Sequence, residues 1–180
     1  MNERFSHLVF ENASADISCF DNGTEVKEYQ VMIHVDAKRL PYAQQLEAVL
    51  NAYNQLLEGP LKGALAVFKR YFLSDAANQA DEVILSDVTD CAKSIIEQAP
   101  LDGSKIALWC YLMTGVQTGL CNSGLYEVKH GAFRHLWNGS AHNMAANSEY
   151  QTRLLFNEYN MQLLEEGCTL EANCIRTWLF

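Results

Sequence analysis

At 180 residues, 49% hydrophobic and 19% charged, the chain has enough apolar side chains to bury a core, which excludes wholesale disorder. A formal net charge of -9, from 13 Lys+Arg against 22 Asp+Glu, argues against nucleic acid as a partner, because phosphate binding needs clustered cations. No run approaches the roughly 20 apolar residues that span a bilayer, so no membrane partner is expected.

The first residues, "MNERFSHLVFENAS", hold only a short, broken apolar run, which does not support a secretory signal and makes a cytoplasmic location the expectation. In that compartment six scattered cysteines (Cys19, Cys91, Cys110, Cys121, Cys168, Cys174), with no C-x-x-C pair, are expected to be small buried hydrophobes. "HLVFENASADISCF" suits a strand, a turn and another strand, and "EYQVMIHV" (Glu28–Val35) a strand with Val31, Ile33 and Val35 on one face. "RLPYAQQLEAVLNAYNQLLEG" is the clearest helix: Pro41 suits its first turn, Tyr42, Leu46, Val49, Tyr53 and Leu56 recur at helical spacing, and Gly59-Pro60 stops it. "GALAVFKRYFL" (Gly63–Leu73) predicts a buried strand with two charges tucked in.

From about Ala76 to Gln98 the pattern predicts helix, in one or two pieces, with Ile84, Val88, Cys91 and Ile95 as its apolar stripe. "APLDGS" is turn chemistry and "KIALWCYLM" (Lys105–Met113) a core strand; "TGVQTGLCNSG" (Thr114–Gly124) predicts a linker or hairpin loop. "LYEVKHGAFRHLWNGSA" then suggests a β-hairpin. "SEYQ" (Ser148–Gln151) matches a capping box opening a helix with Leu155, Phe156, Tyr159 and Leu163 on one face, Gly167 caps it, and "CIRTWLF" (Cys174–Phe180) predicts a last strand.

The chain says nearly the same thing twice. "LNAYNQLLEG" (Leu50–Gly59) and "FNEYNMQLLEEG" (Phe156–Gly167) are each followed by an Arg in an apolar run, "FKRYFL" at Phe68–Leu73 and "CIRTWLF". Such a repeat predicts a duplicated strand–helix–strand unit whose helix buries its stripe on one sheet face.

"VFKRYFLSDAANQ" (Val67–Gln79) together with "RHLWNGSA" and "CIRTWLF" resembles the YjgF/RidA superfamily, also labelled endoribonuclease L-PSP, and most of all its two-module, chorismatase-like branch. The resemblance implies an α+β, chorismate-mutase-like fold: a mixed, mostly six-stranded sheet with two helices packed on one face. Residues 1–118 would form one module, and residues 119–180 the first half of a second, as β-hairpin, helix and strand. It also implies a homo-oligomer, trimer or pseudo-trimer, with sites in clefts between modules, and a small carboxylate-bearing metabolite as substrate. The expected chemistry is imine or enamine deamination or chorismate-type hydrolysis, with this portion mainly structural. The alternative is a non-catalytic ligand-binding or assembly module.

Two departures bear on that choice. Deaminases of the family carry an Arg in a turn before a late strand, where it grips the substrate carboxylate. The matching stretch here, "PLDGSKIAL" (Pro100–Leu108), has Asp102 and Gly103 in that place, and a carboxylate repels what a guanidinium fork would hold. The second copy also stops after its Arg-bearing strand, so this chain by itself is expected to lack a complete active site.

The candidate ligand-binding residues are Arg70 and Arg176, at matching repeat positions, and Arg134 and His135 within "VKHGAFRHLWNGSAHN", which also gathers His130, Asn138, Ser140 and His142. Their spacings assure no common face, so no metal and no cofactor is expected; the catalytic residues stay unassigned. No phosphate loop, G-x-S-x-G elbow or H-E-x-x-H occurs, and Cys110 on a core strand suggests packing, not a nucleophile.

Overall fold

The computed structural model describes residues 4–139, 141–145 and 147–179; Ser140 and Phe180, which fall within the stretches singled out above, lie outside them. The fold is α+β. Strands β1 (Phe5–Val9), β2 (Ala13–Asp21), β3 (Lys27–Val35), β4 (Leu65–Leu73), β5 (Ala92–Glu97) and β6 (Ile106–Thr114) form one sheet in the order β1-β2-β3-β6-β4-β5. Every neighbouring pair is antiparallel except β4 with β5. Because β3 and β4 both run against β6, they run the same way, and helix α1 (Tyr42–Glu58) crosses between them. Helix α2 (Ala76–Ser86) makes the second crossover, from β4 to β5.

Both helices cover one sheet face. The stripe predicted for α1 places Leu46, Val49, Tyr53 and Leu56 against Val31, Ile33 and Val35 of β3 and Leu108, Cys110 and Leu112 of β6, and Val83 of α2 joins the same core. Val31, Ile33 and Val35 of β3 thus share one face as expected, and β6 alternates in the same way. Gln45 locks the helix start in place: its buried amide donates to Lys38 O (3.0 Å) and Leu40 O (2.8 Å) and accepts from Lys105 N (2.8 Å).

Past β6 the chain turns through Gly115, whose φ of 68° and close approach to the Glu25 carbonyl require glycine. A second, three-stranded antiparallel sheet follows, β7 (Gln117–Leu120), β8 (Tyr126–His130) and β9 (Phe133–Trp137), then helices α3 (Ser148–Glu165) and α4 (Leu170–Asn173). One face of this small sheet lays Tyr126, Val128 and Trp137 on the helix-free face of the large sheet, against Val67, Phe68, Tyr111 and Met113. The opposite face meets α3, where Gln162 binds Asn138 and Ser123. No helix among the described residues is long and apolar enough to cross a membrane.

Several expectations are corrected. The helix predicted over Ala76–Gln98 ends at Ser86, and Ala92–Glu97 is strand β5. Spacings of four, three and four between Ile84, Val88, Cys91 and Ile95 imitate a helical stripe, yet Val88 is 88% exposed in the connecting loop. The loop predicted over Thr114–Gly124 contains β7, a strand too short and too poor in apolar residues to show periodicity. The cap of α3 is Asn147, whose side chain accepts from Tyr150 N, so Ser148 is the first helical residue and the Ser-to-Gln capping box does not form. The described part of "CIRTWLF", Cys174–Leu179, pairs with no strand; Ile175 and Leu179 face outward, so no ladder or core holds it extended. Of the six free cysteines only Cys110 is fully buried, since the others sit at sheet margins and loops.

Candidate functional site

Two neighbouring cations on β4 go to opposite sides of the sheet, and a bulge decides which goes where. Pairing with β6 slips between Ala66 and Phe68, so Val67 is the extra residue. Val67 and Phe68 then both face the second sheet. The shift sends Lys69 and Tyr71 under the helices and Arg70 to the other face.

On that other face the aromatic side chains of three strands and the C-terminal segment converge. Phe68 lies 5.7 Å from Trp109 and 5.7 Å from Trp137, and Tyr111 lies 5.3 Å from Trp137, all tilted, the arrangement ring quadrupoles favour. Trp109 donates its indole N–H to Gln30 (2.8 Å), and the Tyr111 hydroxyl donates to Glu28. Arg70 as a residue is only 7% exposed, and its guanidinium sits over Phe68 (5.2 Å), Trp109 (5.7 Å) and Trp178 (5.3 Å). Burial lowers its pKa from the usual guanidinium value. Arg176, exposed in the C-terminal segment, lies over the same Trp178 ring at 5.4 Å. Arg70 and Arg176 therefore meet at one indole, although Arg70 is in a central strand and Arg176 is in none.

The other two candidates lie elsewhere. Arg134 projects from the α3 side of β9 and is held by Glu127 and Glu166. These partners raise its pKa, and Ser123 adds a 2.6 Å bond to Glu166. Arg134 ties the small sheet to the helix behind it. His135 lies on the opposite face of β9, with its Nε2 3.2 Å from that of His130. Burial lowers its pKa, His130 lowers it further, and the Glu28 carboxylate opposes both. Asp102, in the turn where the family resemblance expects an Arg, is bound by Ser104 N (2.9 Å), Ser104 Oγ (2.7 Å) and Lys38 (3.3 Å), and serves the turn itself.

One cluster was not legible beforehand. Lys69, 0% exposed, donates to both Asp87 oxygens (3.0 and 3.1 Å) and to Thr89 (2.8 Å), and its ammonium lies 3.5 Å from the Tyr53 ring centre. Asp87, 4% exposed, also accepts from the Tyr71 hydroxyl (2.7 Å) and Thr89 N (3.0 Å). Burial alone would raise the Asp87 pKa, but Lys69 and these hydrogen bonds more than offset it and the net shift is downward. Beside it runs a surface groove of about 470 Å³ between α1 and the Asp87–Thr89 loop. The ammonium is sealed beneath the groove, so this network serves the core. A lysine inside an apolar run signals a buried partner, but nothing in the sequence selects Asp87. Burial likewise pushes the Cys110 thiol well up, in keeping with packing.

This face thus sets a buried arginine against tilted aromatic rings, with a second arginine over one of the same indoles. Compared with protein-family models, with curated proteins and with solved structures, the chain matches none of them.

Proposed function

We propose that the chain is a RidA/YjgF-like, chorismatase-like protein that takes a small carboxylate-bearing metabolite, with Arg70 as the carboxylate anchor. The observation that carries the ligand assignment is Arg70 itself, a guanidinium buried on the helix-free sheet face against Phe68, Trp109 and Trp178. A guanidinium stacked on rings keeps its N–H groups in the plane away from them, suited to the two oxygens of a planar carboxylate. Support for the family part comes from the strand order β3-β6-β4-β5 with two crossover helices on one face. The strand–helix–strand unit is complete as β3–α1–β4, whereas no strand follows α3 among the described residues, so the duplication rests on the matching sequence of the two helices and a strand before each.

In this reading residues 1–118 form one module and 119–180 belong to a second, and the reaction is imine or enamine deamination or chorismate-type hydrolysis. A non-catalytic binding or assembly module is the second reading, favoured by Asp102 and its structural bonds in the turn. A homo-oligomer, trimer or pseudo-trimer, belongs to the same proposal, and solution mass tests it.

Titration calorimetry with pyruvate, 2-oxobutanoate, benzoate and chorismate tests the anchor. At least one should bind saturably, and Arg70→Gln should weaken it by about 10- to 100-fold, the worth of a charged hydrogen-bonded pair. Arg176→Gln, at an exposed position, should weaken it by less than about threefold. Absence of binding by all four, or an Arg70→Gln protein that binds as wild type, removes the assignment. Binding without turnover of imine or chorismate substrates would leave the binding-module reading.

A further inference from the structure

We propose that His130 and His135 form a two-nitrogen chelate for a late first-row divalent ion, of the Cu²⁺, Ni²⁺ or Zn²⁺ class. The two residues are five apart, a spacing that puts them on one face only if the chain reverses tightly between them. It does: β8 and β9 are joined through Gly131 and Ala132, with Gly131 at φ 53°. The register pairs Val128 with His135 and His130 with Phe133, so both imidazoles fall on the same face as diagonal neighbours.

The rings are turned toward each other. Their centroids are 5.1 Å apart, with an interplanar angle of 28°, whereas the two Nε2 atoms are only 3.2 Å apart. Two imidazole nitrogens on adjacent positions of a tetrahedral ion, with metal–nitrogen bonds of about 2.0–2.1 Å, are about 3.3 Å apart. The observed separation is close to that tetrahedral value and a few tenths of an ångström above the roughly 2.8–2.9 Å between cis nitrogens of a tetragonal ion, so either geometry needs only a small ring movement, and the ion replaces the proton shared by the two nitrogens.

The Phe133 ring lies 5.5 Å from His130 and flanks the pair. Among the described residues no set of three His, Cys, Asp or Glu side chains gathers for a metal. The protein therefore contributes two nitrogens, and water or a small ligand fills the remaining positions. Imidazole donors and an incomplete ligand set favour Cu²⁺ over Ni²⁺ and Zn²⁺ in the usual order of affinities.

The test is calorimetric titration of the full, untagged chain with CuCl₂ and with ZnCl₂, alongside His130→Ala, His135→Ala and, as a control, His7→Ala. One equivalent of Cu²⁺ should bind, more tightly than Zn²⁺, and loss of either hairpin imidazole should weaken it by about tenfold or more, since the second donor acts intramolecularly. The control should bind as wild type. Nitrogen hyperfine structure in the Cu²⁺ electron paramagnetic resonance spectrum of the wild type gives a reading that does not depend on the variants folding: two equivalent imidazoles are expected. No saturable one-equivalent binding, a spectrum with fewer than two imidazole nitrogens, or binding that survives both hairpin substitutions unchanged overturns the proposal.

Discussion

Lys69→Met is expected to destabilise the fold by about 3–5 kcal/mol, the cost of stranding a buried charge without its partner. The methionine would fill the volume, but the buried Asp87 would keep only the Tyr71 hydroxyl and the Thr89 amide within hydrogen-bond distance of its carboxylate, with the Lys93 ammonium farther off at 3.9 Å. Asp87→Asn should be of similar severity, because it strands the ammonium of Lys69 instead. Chemical denaturation checks both, and the double variant should show a coupling of about 2–3 kcal/mol, as contacting partners do. Additive losses would show that the two groups do not act as a pair.

The same network sets an acid limit. The folded pKa of Asp87 is lowered from its ordinary 3.8, so its contribution to stability is present above that value and is lost as pH falls through the folded pKa. The stability gap between wild type and Asp87→Asn should therefore be widest near neutral pH and close progressively below about pH 4. Urea midpoints of the two proteins across pH 7 to 2.5 measure it. A gap unchanged at the acid end would mean that the carboxylate is not ionised against Lys69 in the native state.

Trp137→Ala should cost about 3 kcal/mol and act locally. Trp137 is the wedge between the sheets, within 5.7 Å of Phe68 and 5.3 Å of Tyr111, and its loss leaves a void the rigid strands cannot close. Hydrogen exchange should accelerate across β7, β8 and β9 while the amides of β3, β6 and β4 keep their protection, because the large core under α1 and α2 is untouched. Gly139→Ala should have the same signature by another route: a Cβ there would stand 2.1 Å from the Lys93 carbonyl oxygen and push the segment after β9 off strand β5. Trp137→Phe is the mild control. Among the described residues the buried indole N–H has no partner, so phenylalanine keeps an aromatic ring and discards an unsatisfied donor, at a cost below about 1 kcal/mol. Unchanged exchange in β7–β9 for both Trp137→Ala and Gly139→Ala would rule out this docking.

The elements legible from sequence are those whose burial is one-sided and long. α1 carries its apolar stripe along 17 residues ending before Gly59-Pro60, and β3 has three branched residues in strict alternation, so each announces both its type and its inward face. Strand β5 was illegible because its six residues, joined to the tail of α2, keep helical spacing by accident, and only pairing with β4 makes them a strand. β7 was illegible because four residues with one glycine carry no period at all. Arg70 stood out as a cation in an apolar run, but its surroundings, Trp109 from β6 and Trp178 from over a hundred residues further on, are products of long-range packing.

Sequence alone determined that this chain packs a strand-rich core under an amphipathic helix and that β4 carries two charges inward, because periodicity and composition are local quantities. Tertiary structure alone decided where those charges go: one residue of slip at Val67 sends Lys69 to Asp87 and Arg70 to the aromatic face. The two-residue turn after His130 likewise decides that two imidazoles meet. Register and turn geometry are set by pairing with distant strands, and a shift of one residue reverses the face of every side chain that follows.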